Sequence, residues 1–331
     1  MIIHKSIVHV LDKNSENPIL NDYELKNNRE VDLFFQKIIN KISKDDNLRK
    51  CTYKKFNDNL IQSCCEQIIY DESTFLQNSK EIAAYLFDVM QTAQEIESCD
   101  LAICLYSVKD QTNVAIIKFD YQESYTHKID FVEDKFNIQI NKNEIGISMK
   151  NVPKQAALIG PAGVNDEYHL RVLDKDAEKE NIDSSFTETF LKVDKVVDDK
   201  YKTKMTLKWT EVYIENTIAT DVKKAEEVRA GLHYKLLENS EFNVEDFAKF
   251  YIGEELKDSY LEYMQEKGVE GIFFIDQKWT SKKLKSRSLK TDTGFTLKGK
   301  LVDLEDPTKY SLRKNENGTF DIVIKNVGLI S

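Results

Sequence analysis

The residues best suited to chemistry lie in one basic segment, residues 277–300, which reads QKWTSKKLKSRSLKTDTGFTLKGK. Its net charge is +7, because a single aspartate, Asp292, stands against eight cations: Lys278, Lys282, Lys283, Lys285, Arg287, Lys290, Lys298 and Lys300. Clustered cations among hydroxyl side chains attract a polyphosphate, since each neutralised phosphate releases condensed counterions. A solubilising surface loop is the alternative interpretation of such a segment.

A second, weaker basic run spans residues 192–208, with six lysines, three aspartates and a net charge of +3. Three of its lysines are four residues apart and share one face of either a helix or a strand: Lys200, Lys204 and Lys208. The spacing of Met205, Trp209 and Tyr213 favours the helix. The alternative is an ordinary solvated helix face.

The rest of the chain would repel a polyanion. The net charge is −10 overall, so the residues outside the two basic runs carry −20. Scattered cations would not overcome that repulsion, whereas a focused patch would. We therefore predict that the two basic runs converge on one surface.

Sequence motifs for catalysis are missing. The chain has no GxGxxG after a strand, no GxxxxGK[ST], no GxSxG and no HExxH. One short pattern points to a metal-dependent nuclease, because the apolar run 272–275 leads into Asp276-Gln277-Lys278, with Asp258 as the nearest second acid. Three-residue matches are common by chance, so we expect a non-enzyme without a catalytic metal, in which Asp276 caps a helix or pairs with a lysine.

Composition predicts an ordinary globular protein of two domains. The chain has 331 residues, and single cores stop growing at about 250 to 300 residues. No apolar run reaches the roughly 18 residues of a membrane span, and the first residues do not resemble a signal peptide. We therefore expect a cytoplasmic protein, and we expect no cofactor. The five cysteines fit that compartment as reduced thiols, and without a CxxC pair they predict no structural zinc.

The first half of the chain predicts an α+β fold with a mixed antiparallel sheet. Residues 2–11 alternate as a strand, residues 31–42 form an amphipathic helical stripe, and Ser79 is a candidate N-cap of a longer helix. Residues 101–108 and 113–121 predict a hairpin, which leaves Cys99 and Cys104 on opposite faces. Further strands are expected at 127–132, 135–140, 156–160 and 168–173.

The second half predicts helices followed by a small β-meander. The polar stretch 174–185 reads as a linker, so we place an α+β domain at 1–180 and a helical domain with the meander and the basic segment at 181–331. Asn243 is a candidate N-cap, and Gly268 a candidate helix end. The meander strands are expected at 294–300, 309–314 and 318–327.

The arrangement resembles the bacterial nucleoid-associated proteins of the YejK/NdpA type. The resemblance rests on the N-terminal strand IIHKSIVHVLD, the hairpin around LAICLYSV, the helical middle, and the strands in GFTLKGK and TFDIVIKN. The acidic stretch 174–185 and the lysine bias at 282–290 depart from the enterobacterial members. The family implies a cytosolic protein that associates with the nucleoid, binds DNA and, in some members, contacts type II topoisomerases.

Three functions follow as hypotheses. The first is non-enzymatic DNA binding through phosphate contacts, mainly by Lys282, Lys283, Lys285, Arg287 and Lys290, assisted by Lys200, Lys204 and Lys208, with Trp279 able to stack on a base. The second is an adaptor that binds a protein such as a type II topoisomerase and has only incidental DNA affinity. The third is the metal-dependent nuclease. The oligomeric state stays open, a homodimer included.

Overall fold

A computed structural model of the protein describes residues 1–26, 28–54, 58–162, 169–291, 293–304, 306–317 and 319–328, with all their side chains except those of Arg287, Ser288, Lys290 and Lys314. The chain divides into two compact units, unit 1 (Met1–Val196) and unit 2 (Val197–Ser331). The predicted α+β class is confirmed. The domain boundary at residue 180 stays a prediction.

Unit 1 is built on a seven-stranded antiparallel sheet in the order β1-β3-β4-β7-β8-β2-β9. A separate hairpin, β5–β6, forms its own two-stranded sheet. The strands are β1 (Ile2–Leu11), β2 (Leu48–Tyr53), β3 (Cys99–Val108), β4 (Gln111–Asp120), β5 (Gln122–Val132), β6 (Lys135–Ile145), β7 (Gln155–Ile159), β8 (Leu170–Asp174) and β9 (Val193–Lys195). The helices are α1 (Arg29–Ser43), α2 (Leu60–Tyr70), α3 (Phe75–Thr92) and α4 (Lys175–Glu180), with a 3-10 turn at Glu72–Thr74 and a π-helical turn at Phe186–Leu191.

Both faces of the large sheet are covered by helices. Ile103 on β3 packs in the core that includes α2 and α3, while Cys104 packs in the core that includes Phe35 of α1. This explains why β3 is a continuous apolar run without alternation. Cys99 belongs to the first core and Cys104 to the second, so the prediction that they point to opposite faces is confirmed.

The β3–β4 hairpin is confirmed, with a turn tighter than the predicted four residues. Lys109 and Asp110 form a two-residue turn with φ values of 50° and 64°. Left-handed residues at both central positions match the right-handed twist of the flanking strands. The ladder consequently runs without interruption from Cys99↔Asp120 to Val108↔Gln111.

The prediction that Ser79 caps a helix is wrong. Helix α3 begins at Phe75, and Ser79 is fully buried inside it. Its hydroxyl donates to the Leu76 carbonyl at 2.8 Å and lies 3.3 Å from His9 Nε2. A serine hydroxyl can bond back to the preceding turn of its own helix, so serine alone does not mark a helix start.

The polar stretch 174–185 contains a helix. Asp174 caps α4 by accepting from the Ala177 amide, and Asn181 ends the helix in a left-handed conformation at φ 57°. The chain then returns to the sheet through β9, which pairs with β2. The stretch predicted as a linker therefore lies within unit 1.

Unit 2 is mainly helical around one apolar core. Its helices are α5 (Asp199–Tyr213), α6 (Val222–Glu238), α7 (Val244–Phe247), α8 (Lys257–Glu266), α9 (Gln277–Lys283) and α10 (Leu301–Leu304), with π-helical turns at Ile214–Ile218 and Ala248–Ile252. Its strands are β10 (Glu241–Asn243), β11 (Ile272–Phe274), β12 (Ser286–Lys290), β13 (Thr296–Lys300), β14 (Tyr310–Lys314) and β15 (Phe320–Ile324). No described helix is both long and apolar enough to cross a membrane.

The predicted helix boundaries in unit 2 are confirmed at two positions. The Asn243 side chain accepts from the Asp246 amide and caps α7, and Gly268 follows α8 with φ 73°. The last four strands form two separate hairpins, β12–β13 and β14–β15, in place of one meander. Sequence patterns locate strands, but the choice of pairing partner depends on the packing around them.

Candidate nucleic-acid interface

The basic segment begins at a helix that is anchored in unit 2. The Asp276 carboxylate accepts from the Trp279 amide at 2.9 Å and caps α9. The Asp276 amide donates to Thr203 Oγ1 at 3.1 Å, which ties the start of α9 to α5. Trp279 and Thr280 are buried in this first turn. The structure thus gives Asp276 the capping role that the sequence suggested, and it removes Trp279 from the surface where a base would stack.

The end of α9 carries exposed cations. Lys282 and Lys283 lie in its last turn, and Lys285 follows directly before β12. Lysines at a helix C-terminus interact favourably with the partial negative charge of the unpaired carbonyls there. Burial of Leu284 holds the chain between them against the core, so the three lysines project from a fixed backbone.

The β12–β13 hairpin brings further lysines to this region. Its register pairs Ser286 with Lys300 and Ser288 with Lys298. Lys298 and Lys300 are exposed, whereas Leu297 and Gly299 between them are half-buried. A Cβ on Gly299 would lie 3.1 Å from the Leu304 side chain, which places this second face of the hairpin against α10. One face of the hairpin therefore carries the side chains of Ser286, Lys298 and Lys300.

Sequence reasoning did not select Lys298 and Lys300 as site residues. They lie ten or more residues from Lys285 and Ser288 along the chain, and only the hairpin register brings them opposite β12. The turn between the strands gave a usable signal. The Thr291 amide donates to the Phe295 carbonyl, and the Phe295 amide donates to Thr291 Oγ1. Gly294 lies in this turn with φ 89°, and glycine is the residue expected at such a position.

Exposure and charge favour an anion at this surface. In the described part of the chain, no carboxylate forms an ion pair with the exposed lysines of this region, which are Lys278, Lys282, Lys283, Lys285, Lys298 and Lys300. Their charges are consequently available to a ligand. The side chains of Arg287 and Lys290 lie outside the described residues, and their backbones pair with Gly299 and Thr296 in the hairpin.

The second lysine set lies on α5, which confirms the predicted helix. Asp198 caps α5 by accepting from the Tyr201 amide at 2.8 Å. Lys200, Lys204 and Lys208 are half-buried along the helix. Lys208 Nζ lies 4.5 Å from the centroid of the Trp209 ring, in a cation–π contact. These lysines are less accessible than those of α9 and the hairpin, and their convergence with them on one surface stays a prediction.

The described residues offer no set of ligands for a catalytic metal. The structure contains no group of three or more histidine, cysteine, aspartate or glutamate side chains in that part of the chain able to hold a metal. Asp276 is occupied as a helix cap, and Asp258 is exposed on α8. Burial raises the pKa of the thiols of Cys51, Cys64 and Cys99 to about 12, so they are protonated at neutral pH.

Comparison with known protein families shows to which family the chain belongs. The family described as nucleoid-associated protein YejK matches residues 7–329. The chain belongs to this family. The match extends over both units and includes the basic segment, so the resemblance inferred from the sequence is confirmed. No curated protein matches the chain.

Proposed function

We propose that this member of the nucleoid-associated YejK family binds DNA without catalysis, through contacts to backbone phosphates. The observation that carries the proposal is the group of exposed lysines on α9, Lys285 and β13, in a chain of net charge −10. Cations that are not already paired gain most from a polyanion, because binding releases its condensed counterions. The expected location is the nucleoid of a bacterial cytoplasm.

The proposed contacts follow from accessibility. Lys282, Lys283 and Lys285 form the centre. Arg287 and Lys290, which are included on the sequence alone, lie on the adjoining strand β12. The exposed Lys298 and Lys300 of β13 join them, and Lys200, Lys204 and Lys208 assist from α5. Phosphate contacts fix position and strength without reading base edges. Binding is therefore expected to be nearly independent of sequence.

The test is a fluorescence-anisotropy titration of a mixed-sequence duplex at several salt concentrations. About five phosphate contacts give a slope of log K against log[salt] of about −4 to −5. The triple variant K282A/K283A/K285A is expected to flatten that slope by about one unit per lost contact and to weaken binding to all sequences alike. Folding stability changes little, because exposed charges contribute only about 0 to 1 kcal/mol each.

A matched control separates local contacts from net charge. The variant K37A/K41A/K44A removes three exposed lysines, two on α1 and one at its C-cap, and changes the net charge by the same amount. Its salt slope is expected to equal that of the wild type. Equal slopes for all three proteins would refute the phosphate contacts and favour the adaptor hypothesis, in which a protein such as a type II topoisomerase is the partner. Plasmid nicking that requires Mg²⁺ and is lost in D276A would instead support the nuclease.

A further inference from the structure

The β5–β6 hairpin is a long arm of unit 1. Its strands pair continuously from Gln122↔Ile145 to Val132↔Lys135, and Glu133 and Asp134 form the tip with φ values of 50° and 58°. Of the strands that the structure describes, no other one pairs with β5 or β6. The arm contributes no residue to the buried core of unit 1, so its side chains are not needed there.

One face of the arm is apolar and the other is polar. Successive side chains of a strand alternate between faces, and directly opposed residues share a face. The register opposes Ile129 to Ile138 and Phe131 to Phe136, whose rings lie 5.1 Å apart. The apolar side chains of this face, together called the apolar arm face, are Tyr125, Ile129, Phe131, Phe136, Ile138 and Ile140, and His127 lies among them opposite Ile140. The opposite face carries serine, threonine, asparagine, glutamine and charged side chains, with Val132 and Ile145 at its two ends.

The apolar arm face is too large to leave in water. Its six side chains are between 55% and 77% exposed. Together they present roughly 750 Å² per copy, where the largest apolar patch of a monomer is about 300–600 Å². A stable protein–protein interface buries about 800 Å² on each partner. Pairing of two such faces would therefore supply most of the area that a dimer needs.

The charge of the arm decides which kind of partner fits. Residues 122–145 hold three lysines and five acidic residues, a net charge of −2, and the tip is Glu133-Asp134. An acidic tip repels a polyanion, which argues against DNA as the occupant. At the base of the same face, Lys142 pairs with Glu123. The charged side chains of this face, Glu123, Lys142 and Glu144, all lie at its base, so the apolar side chains of two arms can pack together while Glu123 and Glu144 stay at the edge of the contact.

We propose that the apolar arm face binds the same face of a second copy of this chain. The contact is isologous, with the two arms antiparallel across a two-fold axis. In that arrangement the aromatic tip, Phe131 and Phe136, of one copy lies over the base of the other, at Tyr125 and Lys142. The isoleucines form the centre, and the polar faces of both arms stay in water.

Two variants of the whole 331-residue chain test the two faces of strand β6 one at a time. Ile138→Glu places a charge in the apolar arm face, and Gln139→Glu places the same charge on the exposed polar face next to it. Sedimentation equilibrium is expected to give a dimer for the wild type and for Gln139→Glu. Ile138→Glu is expected to raise the dimer Kd by at least about a hundredfold, because two isoleucines leave the interface and two charges enter it.

A second variant of the apolar arm face tests whether the effect of Ile138→Glu comes from misfolding. Ile138→Thr/Ile140→Thr keeps β-branched side chains, which suit a strand, and is expected to weaken the dimer with an unchanged far-UV circular dichroism spectrum. A wild type that sediments as a monomer even at a high micromolar protein concentration would overturn the proposal. So would a dimer that persists in both apolar-face variants, or one that Gln139→Glu disrupts equally.

Discussion

Acidification from pH 7 to pH 5 is expected to destabilise unit 1 by about 2 kcal/mol through His9. His9 on β1 is fully buried. Its Nδ1 accepts from the Asn21 amide at 3.1 Å, which leaves the proton on Nε2, facing Ser79 Oγ at 3.3 Å. Protonation of Nδ1 would break the bond from Asn21 and put a charge in the core, beside the cation of Lys80.

The magnitude follows from the two pKa values. Burial, with the charge of Lys80 as a second cause, lowers the pKa of His9 from 6.5 to about 4. Between those pH values the unfolded chain binds a proton that the folded chain does not. The stabilisation is therefore complete above pH 6.5 and is lost as the pH falls towards 4. At pH 5 the difference amounts to about 1.5 pH units, or about 2 kcal/mol at 1.36 kcal/mol per unit.

Two carboxylates of unit 1, Asp12 and Glu95, interfere little in this window. Burial raises the pKa of Asp100, but that carboxyl titrates alike in the wild type and in the His9 variant and cancels in their comparison. Hydrogen bonds to neighbouring groups lower the pKa of Asp12 and Glu95 below their ordinary values of 3.8 and 4.5. A carboxylate whose folded pKa is lowered stabilises above its ordinary pKa and loses that contribution only as the pH falls below it. Most of that loss comes below pH 4.5, after the His9 effect has been measured.

The assay is urea unfolding at pH 7, 6 and 5, followed by far-UV circular dichroism, on the wild type and His9→Asn. Asparagine keeps an acceptor near the position of Nδ1 and does not titrate. Both tryptophans, Trp209 and Trp279, lie in unit 2, so their fluorescence reports the other unit as an internal reference. The variant is less stable at pH 7 but should lose about 2 kcal/mol less than the wild type by pH 5. Equal pH dependence in both proteins would refute the assignment to His9.

Two further predictions concern packing and a buried ion pair. A Cβ at Gly231 would lie 2.1 Å from the Tyr251 ring, which stacks on Phe247. Gly231→Ala is therefore expected to lower the free energy of unfolding by about 1–3 kcal/mol, measured by tryptophan fluorescence. The same substitution is expected to have no such effect in a Tyr251→Ala background. Arg49 Nη1 lies 3.1 Å from Glu178 Oε2 with both side chains less than a tenth exposed, so Glu178→Ala is expected to cost about 3–5 kcal/mol, and Arg49→Met/Glu178→Leu less. A double variant as unstable as the single one would contradict the second prediction.

The sequence by itself determined the elements whose signals are local. Alternation located β1, the apolar stripe located α1, and Asn243 marked the start of α7, because each depends on residues within one or two turns of the chain. Charge counting found the basic segment in the same way. The family relationship was also visible in the sequence, since it rests on the order of these elements.

The tertiary structure decided which elements meet. Nothing in the sequence near Ser79 indicates that its hydroxyl lies in the core beside His9, seventy residues away. The same holds for β5 and β6, whose strand pattern is clear while their separation from the large sheet is not. Pairing partners are selected by the burial of whole faces, a property of the assembled unit. For that reason only the fold shows that Lys298 and Lys300 belong to the candidate site and that the buried Trp279 does not.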